Sequence, residues 1–494
     1  MAATSSTVER RSIEFVPASE RHGGVTQQFT LWFGATLQIT AVVDGALAVV
    51  FGAHALWAII GLLLGNLFGG AVMALHSAQG PKLGLPQMIS SRAQFGVIGA
   101  ALPLVLVVLM YLGFASTGTV LSGQAINRIL HVDAPWVGIV IFGLITFVVA
   151  AVGYRWIHGL GRIATVLGML GFAWITIRIF TAYDGAHLLA DATFGAVPFL
   201  LAIALGAGWQ LTFGPYVADY SRYLPADTPA RRTFTATFAG SVLGSMWAMT
   251  IGALLASIPH SSFLDNQVGF VGELAGGGLI ALVIYLVIVS GKLTINTLNA
   301  YGGAMTMLTT VTGFSRRSVV RPALRLVFVF TFLALSVVIA LAASADFLDN
   351  FKNFVLLLLM VFTPWSAINL VDFYLVSRER VDIPALYDPE GRYGAFDVPA
   401  LVTYVIGILV QIPFLAQSMY TGPLTKMLGG ADVSWIVGLV VPGAIFLVWG
   451  RATRHPPERT ILPEGADDGA VTTGAGVDPG ADGDAAHDAE EVRR

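Results

Sequence analysis

The sequence predicts an all-α polytopic membrane protein with twelve transmembrane helices, arranged as a five-plus-five inverted repeat in which helices one and six are discontinuous. Of its 494 residues, 55% are hydrophobic and only 12% are charged, with a mean hydropathy of +0.75, which excludes a soluble globular protein. The apolar residues form runs of about 20, the length that crosses a bilayer. The cationic residues lie almost entirely in alternate connecting segments, as expected for a multi-pass protein.

By this length criterion the chain contains twelve spans, and the division between the first and second spans, at 52–54, is the weakest boundary. We assign 29–183 to the first inverted repeat (helices 1–5), 196–375 to the second (helices 6–10), and 398–450 to helices 11 and 12. The predicted spans cover 29–52, 55–78, 97–123, 135–153, 161–183, 196–218, 236–258, 279–305, 323–343, 351–375, 398–418 and 433–450.

Charge placement predicts the orientation. With the N-terminus inside, the inner segments hold twenty arginines and lysines, and the outer segments hold only Arg128, Lys352 and Lys426. This asymmetry indicates a plasma-membrane protein with both termini in the cytoplasm. Residues 1–28 show no signal peptide, and we expect both this segment and the acidic tail 451–494 to be disordered.

The sixth span carries signs of an interruption. Gly206, Gly208 and the pair 214–215 (Gly-Pro) loosen a helix, and they flank one large aromatic residue, Trp209, and one amide, Gln210. Broken backbone at membrane depth is tolerated where it faces protein or a watery cavity. The stretch fits a binding site for a small planar polar solute, and it also fits a proline kink with a packed tryptophan.

The first span is interrupted in a similar way, at 34–40 and again at 44–45. It starts on the inner side, whereas the sixth span starts on the outer side. Two broken spans of opposite direction indicate an inverted repeat whose substrate and coupling ion lie near the midplane.

Two further spans place unusual residues on one helical face. The third span has an aromatic residue above small ones, which leaves either a cavity or a helix-packing seam: Tyr111, Ala115, Gly118 and Ser122. The eighth span has Lys292 and Asn296, followed by Asn299. A buried lysine is costly and needs a partner, and an asparagine can read the edge of a nucleobase or only bridge helices.

The remaining charged residues leave several interpretations open. Asp44 could pair with Lys292, carry a coupling proton, or lie near the outer mouth. Asp219 and Arg222, at the inner end of the sixth span, are typical of a cytoplasmic gate or a helix-end ion pair. The histidines show no metal-ligand spacing, the chain has no cysteine, and no nucleotide-binding loop is present, so we expect neither an enzyme nor ATP-driven transport.

The segment Gly214-Pro-Tyr-Val-Ala-Asp-Tyr-Ser-Arg-Tyr-Leu-Pro225 resembles the end of span six in the nucleobase–cation symporters, purine–cytosine permease branch. The runs 79–86, 91–96, 111–113 and 294–301 are similar to this family as well. The resemblance covers roughly residues 20–450 and implies the leucine-transporter fold with alternating access.

The resemblance also implies roles for single residues. Tyr111 takes a position that stacks on the substrate ring, and the span-six partner is Trp209, Gln210 or Phe213, next to Gly208. Gln38 and Asn296 match positions that contact the substrate. The family's sodium-coupled members bind Na⁺ at positions that here are Gly34, Leu37 and Ser290.

Two departures from the family pattern bear on function. Gly291 lacks the hydroxyl of a sodium ligand and Lys292 stands beside it, so an ammonium could replace the ion and proton coupling through this amine becomes an option. Ala115 stands where a glutamine contacts hydantoin-type substrates, which argues against that substrate.

The resulting expectation is a symporter that imports a nucleobase, cytosine or a purine first, with H⁺ or Na⁺ as the coupling ion and no cofactor. Uracil, allantoin, hydantoin or a vitamin pyrimidine are alternative substrates, and a non-transporting receptor is an alternative class. We expect the lipid bilayer as surroundings, no nucleic-acid partner and no obligate protein partner.

Overall fold

The computed structural model describes residues 14–152, 155–190, 192–315, 322–417 and 420–464. Within these residues the chain is helical, and the only β pairings are two isolated bridges. The helices are α1 Val25–Thr36, α2 Ile39–Val50, α3 Ala55–Ser77, α4 Gln79–Leu83, α5 Gln87–Ser90, α6 Arg92–Phe95, α7 Ala101–Leu130, α8 Pro135–Val152, α9 Arg155–Ala182, α10 Ala196–Leu211, α11 Ala218–Ser221, α12 Ala230–Ala256, α13 Gln267–Leu274, α14 Gly278–Ser315, α15 Pro322–Ala343, α16 Phe347–Leu370, α17 Val398–Leu409, α18 Pro423–Met427 and α19 Ser434–Thr453.

In the part of the chain that the structure describes, eight helices are long and apolar enough to cross a membrane, and the bent pair α1 and α2 would be a ninth. Three shorter apolar helices, Pro135–Ala150, Val166–Ala182 and Val398–Phe414, coincide with predicted spans four, five and eleven. The all-helical polytopic class is confirmed, while the count of twelve spans and the inverted repeat stay predictions.

The interior of the bundle is built by close approach of α2, α10 and α12, whose apolar side chains share one buried cluster. A Cβ at Gly45 on α2 would strike the backbone of Met249, and one at Gly252 on α12 would strike the backbone of Val42. Glycine at both positions therefore lets α2 and α12 pack backbone to backbone, as in other membrane bundles. The predicted interruption at 44–45 is wrong, because α2 runs unbroken through it.

The packed structure extends beyond the predicted spans at both ends of the chain. Val16 is fully buried, and its amide donates to the carbonyl of Gly84 at 2.9 Å. Near the other end, the amide of Ile461 donates to the carbonyl of Val381 at 3.0 Å. Long-range contacts thus hold parts of 14–28 and 451–464, which the sequence analysis places in disordered segments. The remainder of those two segments, 1–13 and 465–494, lies outside the described residues.

Candidate substrate and coupling site

The first span is broken after Thr36, and α1 and α2 are bent by 59° relative to each other. The hydroxyl of Thr36 donates back to the carbonyl of Trp32 at 2.8 Å, a bond that bends helices. The backbone of Gln38 is extended, with φ −146° and ψ 161°. Its backbone amide donates to the carbonyl of Thr36 at 3.0 Å, whereas in a continuing α-helix it would donate to the carbonyl of Gly34. The interruption predicted at 34–40 is therefore present, and it frees backbone carbonyls inside the bundle.

The sixth span is broken as well. Helix α10 ends at Leu211, a 3₁₀ turn covers Gly214–Tyr216, and the short helix α11 follows. Pro215 lacks an amide hydrogen and cannot continue the α-helical ladder. The two breaks meet, since the rings of Trp32 and Phe213 lie 5.6 Å apart with an edge-to-face angle of 68°. Neither the first nor the sixth span is therefore one continuous α-helix.

Lys292 reaches from α14 into the break of the first span. Its ammonium donates to Oε1 of Gln38 at 2.5 Å and to the hydroxyl of Thr40, and only 4% of the residue is exposed. The second half of that amide, Nε2 of Gln38, donates to the carbonyl of Ala35 at 2.9 Å. The prediction that a buried lysine needs an interior partner fits this arrangement. The partners are two neutral oxygens, one on Gln38 at the N-cap of α2 and one on Thr40 in its first turn.

Asp44 lies on the same face of α2 as Thr40, one helical turn further along. The residue is fully buried, and among the described residues neither carboxylate oxygen has a hydrogen-bond partner. Its interpretation as an ion-pair partner of Lys292 does not hold in this structure, because the ammonium is bound one turn away. A position near the outer mouth is also unsupported, since a mouth residue would be exposed to water.

Asn296 connects α14 to α7. Its Nδ2 donates to the carbonyl of Ala115 at 2.8 Å and to the hydroxyl of Thr119 at 3.1 Å, and Gly118 gives the side chain room. Its Oδ1 is buried and has no partner among the described residues. Asn296 therefore bridges two helices with its donors, and it keeps one acceptor available for a ligand.

An aromatic cluster lies one helical turn along α7 from Ala115, the residue that holds this amide. Tyr111 and Tyr216 are half-buried, with ring centroids 5.6 Å apart and planes 36° from parallel. Tyr216 also contacts Phe213 at 6.0 Å and Trp32 at 6.3 Å. The indole N–H of Trp32 is buried without a partner in the described residues. A planar ligand would stack here after the rings separate, with unpaired polar atoms at the edge of the cluster.

Of the other span-six candidates, Trp209 packs its ring edge-on against Phe213, with centroids 5.5 Å apart, whereas the side chain of Gln210 is bound to neighbouring helices. Gln210 is fully buried and donates to Asn66 at 2.8 Å and to Ser245 at 3.2 Å, while its Oε1 accepts from Ser241 at 2.6 Å. Trp209 donates to the same Ser245 at 2.9 Å. Both side chains thus fasten α10 to its neighbours, and we remove Gln210 from the site because its hydrogen-bonding capacity is used.

Gly208 is a packing position. A Cβ there would lie 3.0 Å from Val355 and 3.5 Å from Leu359, both on α16. Glycine lets α10 approach α16 closely, so this residue contributes to the site only by setting the helix separation.

The positions that the resemblance assigns to sodium do not form a convincing ligand set. The hydroxyl of Ser290 donates within its own helix to Val287 at 3.0 Å, and Gly291 supplies no side-chain oxygen. The ammonium of Lys292 already occupies the break between Leu37 and Thr40. Two unit charges 4 Å apart repel by about 1–4 kcal/mol at effective dielectric constants between those of water and a protein surface. The residues present do not fit a sodium ion.

Asp219 and Arg222 lie at the end of the bundle where the N-terminal segment packs. Oδ1 of Asp219 accepts from the backbone amide of Gln87 at 2.8 Å, and Arg222 donates to the carbonyl of Glu14 at 3.4 Å. Arg21, in the same segment, donates to the carbonyl of Pro81 at 2.5 Å. Burial lowers the pKa of Arg21 to about 10, which leaves it charged at neutral pH. These contacts fasten the segment that follows α10 to the loop between α3 and α7.

Sequence reasoning missed three residues of the site. Tyr216 directly follows Pro215, so its position at the break could be predicted from the sequence. The direction in which its side chain points depends on the 3₁₀ turn. Thr40 has no pattern that distinguishes it from other hydroxyls in apolar helices. Trp32 precedes the break by one turn and looks like an ordinary packed aromatic residue.

Broken helices that meet inside a polytopic bundle, with buried unpaired polar atoms and a ring cluster at the breaks, define a membrane transporter and not an enzyme. The sequence profile of the family described as permease for cytosine/purines, uracil, thiamine, allantoin matches residues 15–438. The chain belongs to this family, and the resemblance to nucleobase–cation symporters is confirmed.

Relatives and a solved structure agree with this assignment. The protein YxlA of Bacillus subtilis (strain 168), named provisionally as a purine-cytosine permease, is 38% identical over 442 residues, covering 89% of this chain and 95% of the relative. The purine-cytosine permease fcyB of Emericella nidulans is 25% identical over 474 residues, covering 90% and 89%. The inward-facing structure of Mhp1 matches with a TM-score of 0.73 at 20% identity, covering 91% and 95% of the two chains, and shows the leucine-transporter fold.

Proposed function

We propose that this chain is a secondary active symporter that imports a nucleobase, cytosine or a purine, across the plasma membrane by alternating access. The observation that carries the proposal is the buried Oδ1 of Asn296, which has no hydrogen-bond partner among the described residues. Asn296 is held at Ala115, one helical turn along α7 from Tyr111. An amide oxygen in this position accepts a hydrogen bond from a ring N–H or exocyclic amine, which every such base offers. The family membership and the purine-cytosine permeases among the relatives support the same substrate class.

In this mechanism the base stacks on Tyr111 and on Tyr216 or Phe213, while Asn296 reads its polar edge. Stacking accepts any flat ring, so hydrogen bonds determine selectivity. The rings of Tyr111 and Tyr216 contact each other in the structure. Binding therefore requires one of the two rings to move, which couples substrate entry to the segment that follows α10.

The inner contacts of Asp219 and Arg222 serve as the cytoplasmic gate in this proposal. They join the end of the sixth span to Gln87 and to the N-terminal segment, so opening to the inside must break them. The excess of cationic residues in the predicted inner segments supports this orientation, with both termini in the cytoplasm.

Counterflow in proteoliposomes tests the function. Vesicles loaded with unlabelled cytosine, or separately with adenine, should take up the labelled base well above vesicles loaded with buffer, because a carrier exchanges substrate without a net gradient. A base that raises the melting temperature of the purified protein but never exchanges would indicate a receptor, and neither effect with any nucleobase would overturn the substrate class.

A further inference from the structure

Asp44 and Lys292 bring two opposite charges to the same face of α2, yet they do not pair. The ammonium is held at the start of the helix by Gln38 and Thr40, and the carboxyl group lies one turn later with both oxygens unpartnered among the described residues. A buried ionised carboxylate without a donor is strongly unfavourable, whereas a protonated carboxyl group costs much less. The packed arrangement therefore favours a proton on Asp44.

The site also disagrees with a metal cation as the coupling ion. The sodium positions implied by the family lack a hydroxyl at Gly291, and Lys292 fixes a positive charge within the break. The ammonium supplies there the charge and the bonds that a bound cation would provide, through Gln38 and Thr40.

We propose that Asp44 carries a coupling proton while the amine of Lys292 occupies the cation position of the site, so that substrate uptake is driven by protons and not by sodium. The inference rests on the proposed function, and it names the ion and the group that binds it.

The surrounding charges leave Asp44 without another proton partner. Lys292 is the charged residue that reaches this face of α2 from α14. The charged and titratable residues on the other helices packed against α2 lie at helix ends or have partners of their own: His76 with Ser366, Tyr111 with Tyr216, Arg128 with Glu273, Arg231 and Arg232 in the first turn of α12, and Lys352 with Asp349.

The proton step is simple to balance. When the site opens to the outside, a hydronium ion gives up a proton and an O–H bond forms on the carboxylate of Asp44. When it opens to the inside, that O–H bond breaks and the proton passes to water. Between these events α2 packs against α12 at Gly45 and Gly252, where the ionised carboxylate would be buried without compensation. Closure without the proton is therefore disfavoured, so each closure around the base carries a proton with it.

The experiment uses the purified full-length protein in phosphatidylethanolamine and phosphatidylglycerol vesicles with labelled cytosine, or adenine if cytosine is not exchanged. The wild type should accumulate the base when the lumen is alkaline, with no sodium present. Asp44→Asn, a neutral isostere, should keep counterflow and lose accumulation, so that internal and external concentrations become equal. Accumulation by this variant at the wild-type level, or strict sodium dependence of the wild type, would overturn the proposal.

A second measurement does not depend on the substrate. Infrared spectra of the wild type at neutral pH should contain the carbonyl stretch of a protonated buried carboxyl group, and Asp44→Asn should lack it. Asp372→Asn is the matched control and should keep the band, because that buried carboxyl group forms an ion pair with Arg454 at 3.0 Å. An identical band in wild type and Asp44→Asn would refute the assignment even if no base were transported, whereas failed counterflow in the wild type would count against the proposed function alone.

Discussion

The amide nitrogen of Asn296 lies 2.8 Å from the carbonyl oxygen of Ala115, while the amide oxygen lies against Gly118 on the same helix, α7. The nitrogen thus has a structural role, and the oxygen has no hydrogen-bond partner among the described residues. The two halves of the amide can be separated by mutation, because Thr119 contacts only the nitrogen.

Asn296→Ala should raise the apparent KM for the base by roughly 5- to 30-fold. Loss of the acceptor removes one hydrogen bond to the base, worth about 1–2 kcal/mol, or roughly 5- to 30-fold in affinity. Thr119→Val is the matched control: it weakens the bridge to α7 but leaves Oδ1, so the apparent KM should change less than about threefold, within the smaller contribution of a single neutral hydrogen bond. Equal kinetic effects of the two substitutions would reduce Asn296 to a helix bridge.

Tyr216→Ala should raise the apparent KM by about 5- to 150-fold, since stacking of a base on an aromatic ring contributes about 1–3 kcal/mol. Tyr216→Phe keeps the ring and should stay close to the wild type, as should Tyr111→Trp. Initial uptake rates over a range of base concentrations give the KM values. A KM for Tyr216→Ala that matches the wild type would place the stacking platform elsewhere.

Gln210→Ala tests the correction made to the predicted site. Two buried polar groups, on Asn66 and Ser241, would lose their partner, and Ser245 would keep only Trp209. We expect the variant to be less stable by about 2–5 kcal/mol, with a lower melting temperature, while the KM of the folded fraction stays within about twofold of the wild type. Gln27→Ala, at an exposed amide, should change neither quantity. A large rise in KM without destabilisation would return Gln210 to the binding site.

The contrast between Trp209, Gln210 and Tyr216 shows how far the sequence alone reaches. Hydrophobic length and charge placement predict the helices to within a few residues at most ends, because bilayer thickness constrains them. The breaks are readable because glycine and proline act locally. Which side chain faces the ligand depends on the rotation of the chain about the helix axis after a break. Each residue of a 3₁₀ turn rotates the direction of the next side chain by about 120°.

Contacts between residues far apart in the sequence could not be predicted from the sequence either. Arg454 donates to the carbonyl of Ala93 at 2.6 Å and to Asp372 at 3.0 Å, and it pairs with Asp397 at 2.9 Å. Nothing in a polar, acidic tail predicts that its first residues complete a buried ion network.

Arg454→Ala should lower the free energy of unfolding by about 3–5 kcal/mol, because it leaves the carboxylate of Asp372 buried without its cation. Arg451→Ala, an exposed residue one turn earlier on the same helix, is the control and should stay within about 0.5 kcal/mol of the wild type. Chains that end at Glu464 should fold, and chains that end at Thr453 should be as unstable as Arg454→Ala. Thermal unfolding in detergent measures all four.

The double substitution Gly291→Ser with Lys292→Thr should give the transporter a dependence on sodium that the wild type lacks. The two changes add hydroxyl oxygens and remove the fixed ammonium that repels a metal cation. Gly291 accepts a side chain, because a Cβ there meets no atom within 4 Å. A cation that binds only the folded protein raises its melting temperature by mass action. Sodium should therefore stabilise the double variant more than potassium does, and should leave the wild type unchanged. Lys292→Thr alone, with one added hydroxyl, should respond less, and a wild type already stabilised by sodium would show that the ammonium leaves room for the ion.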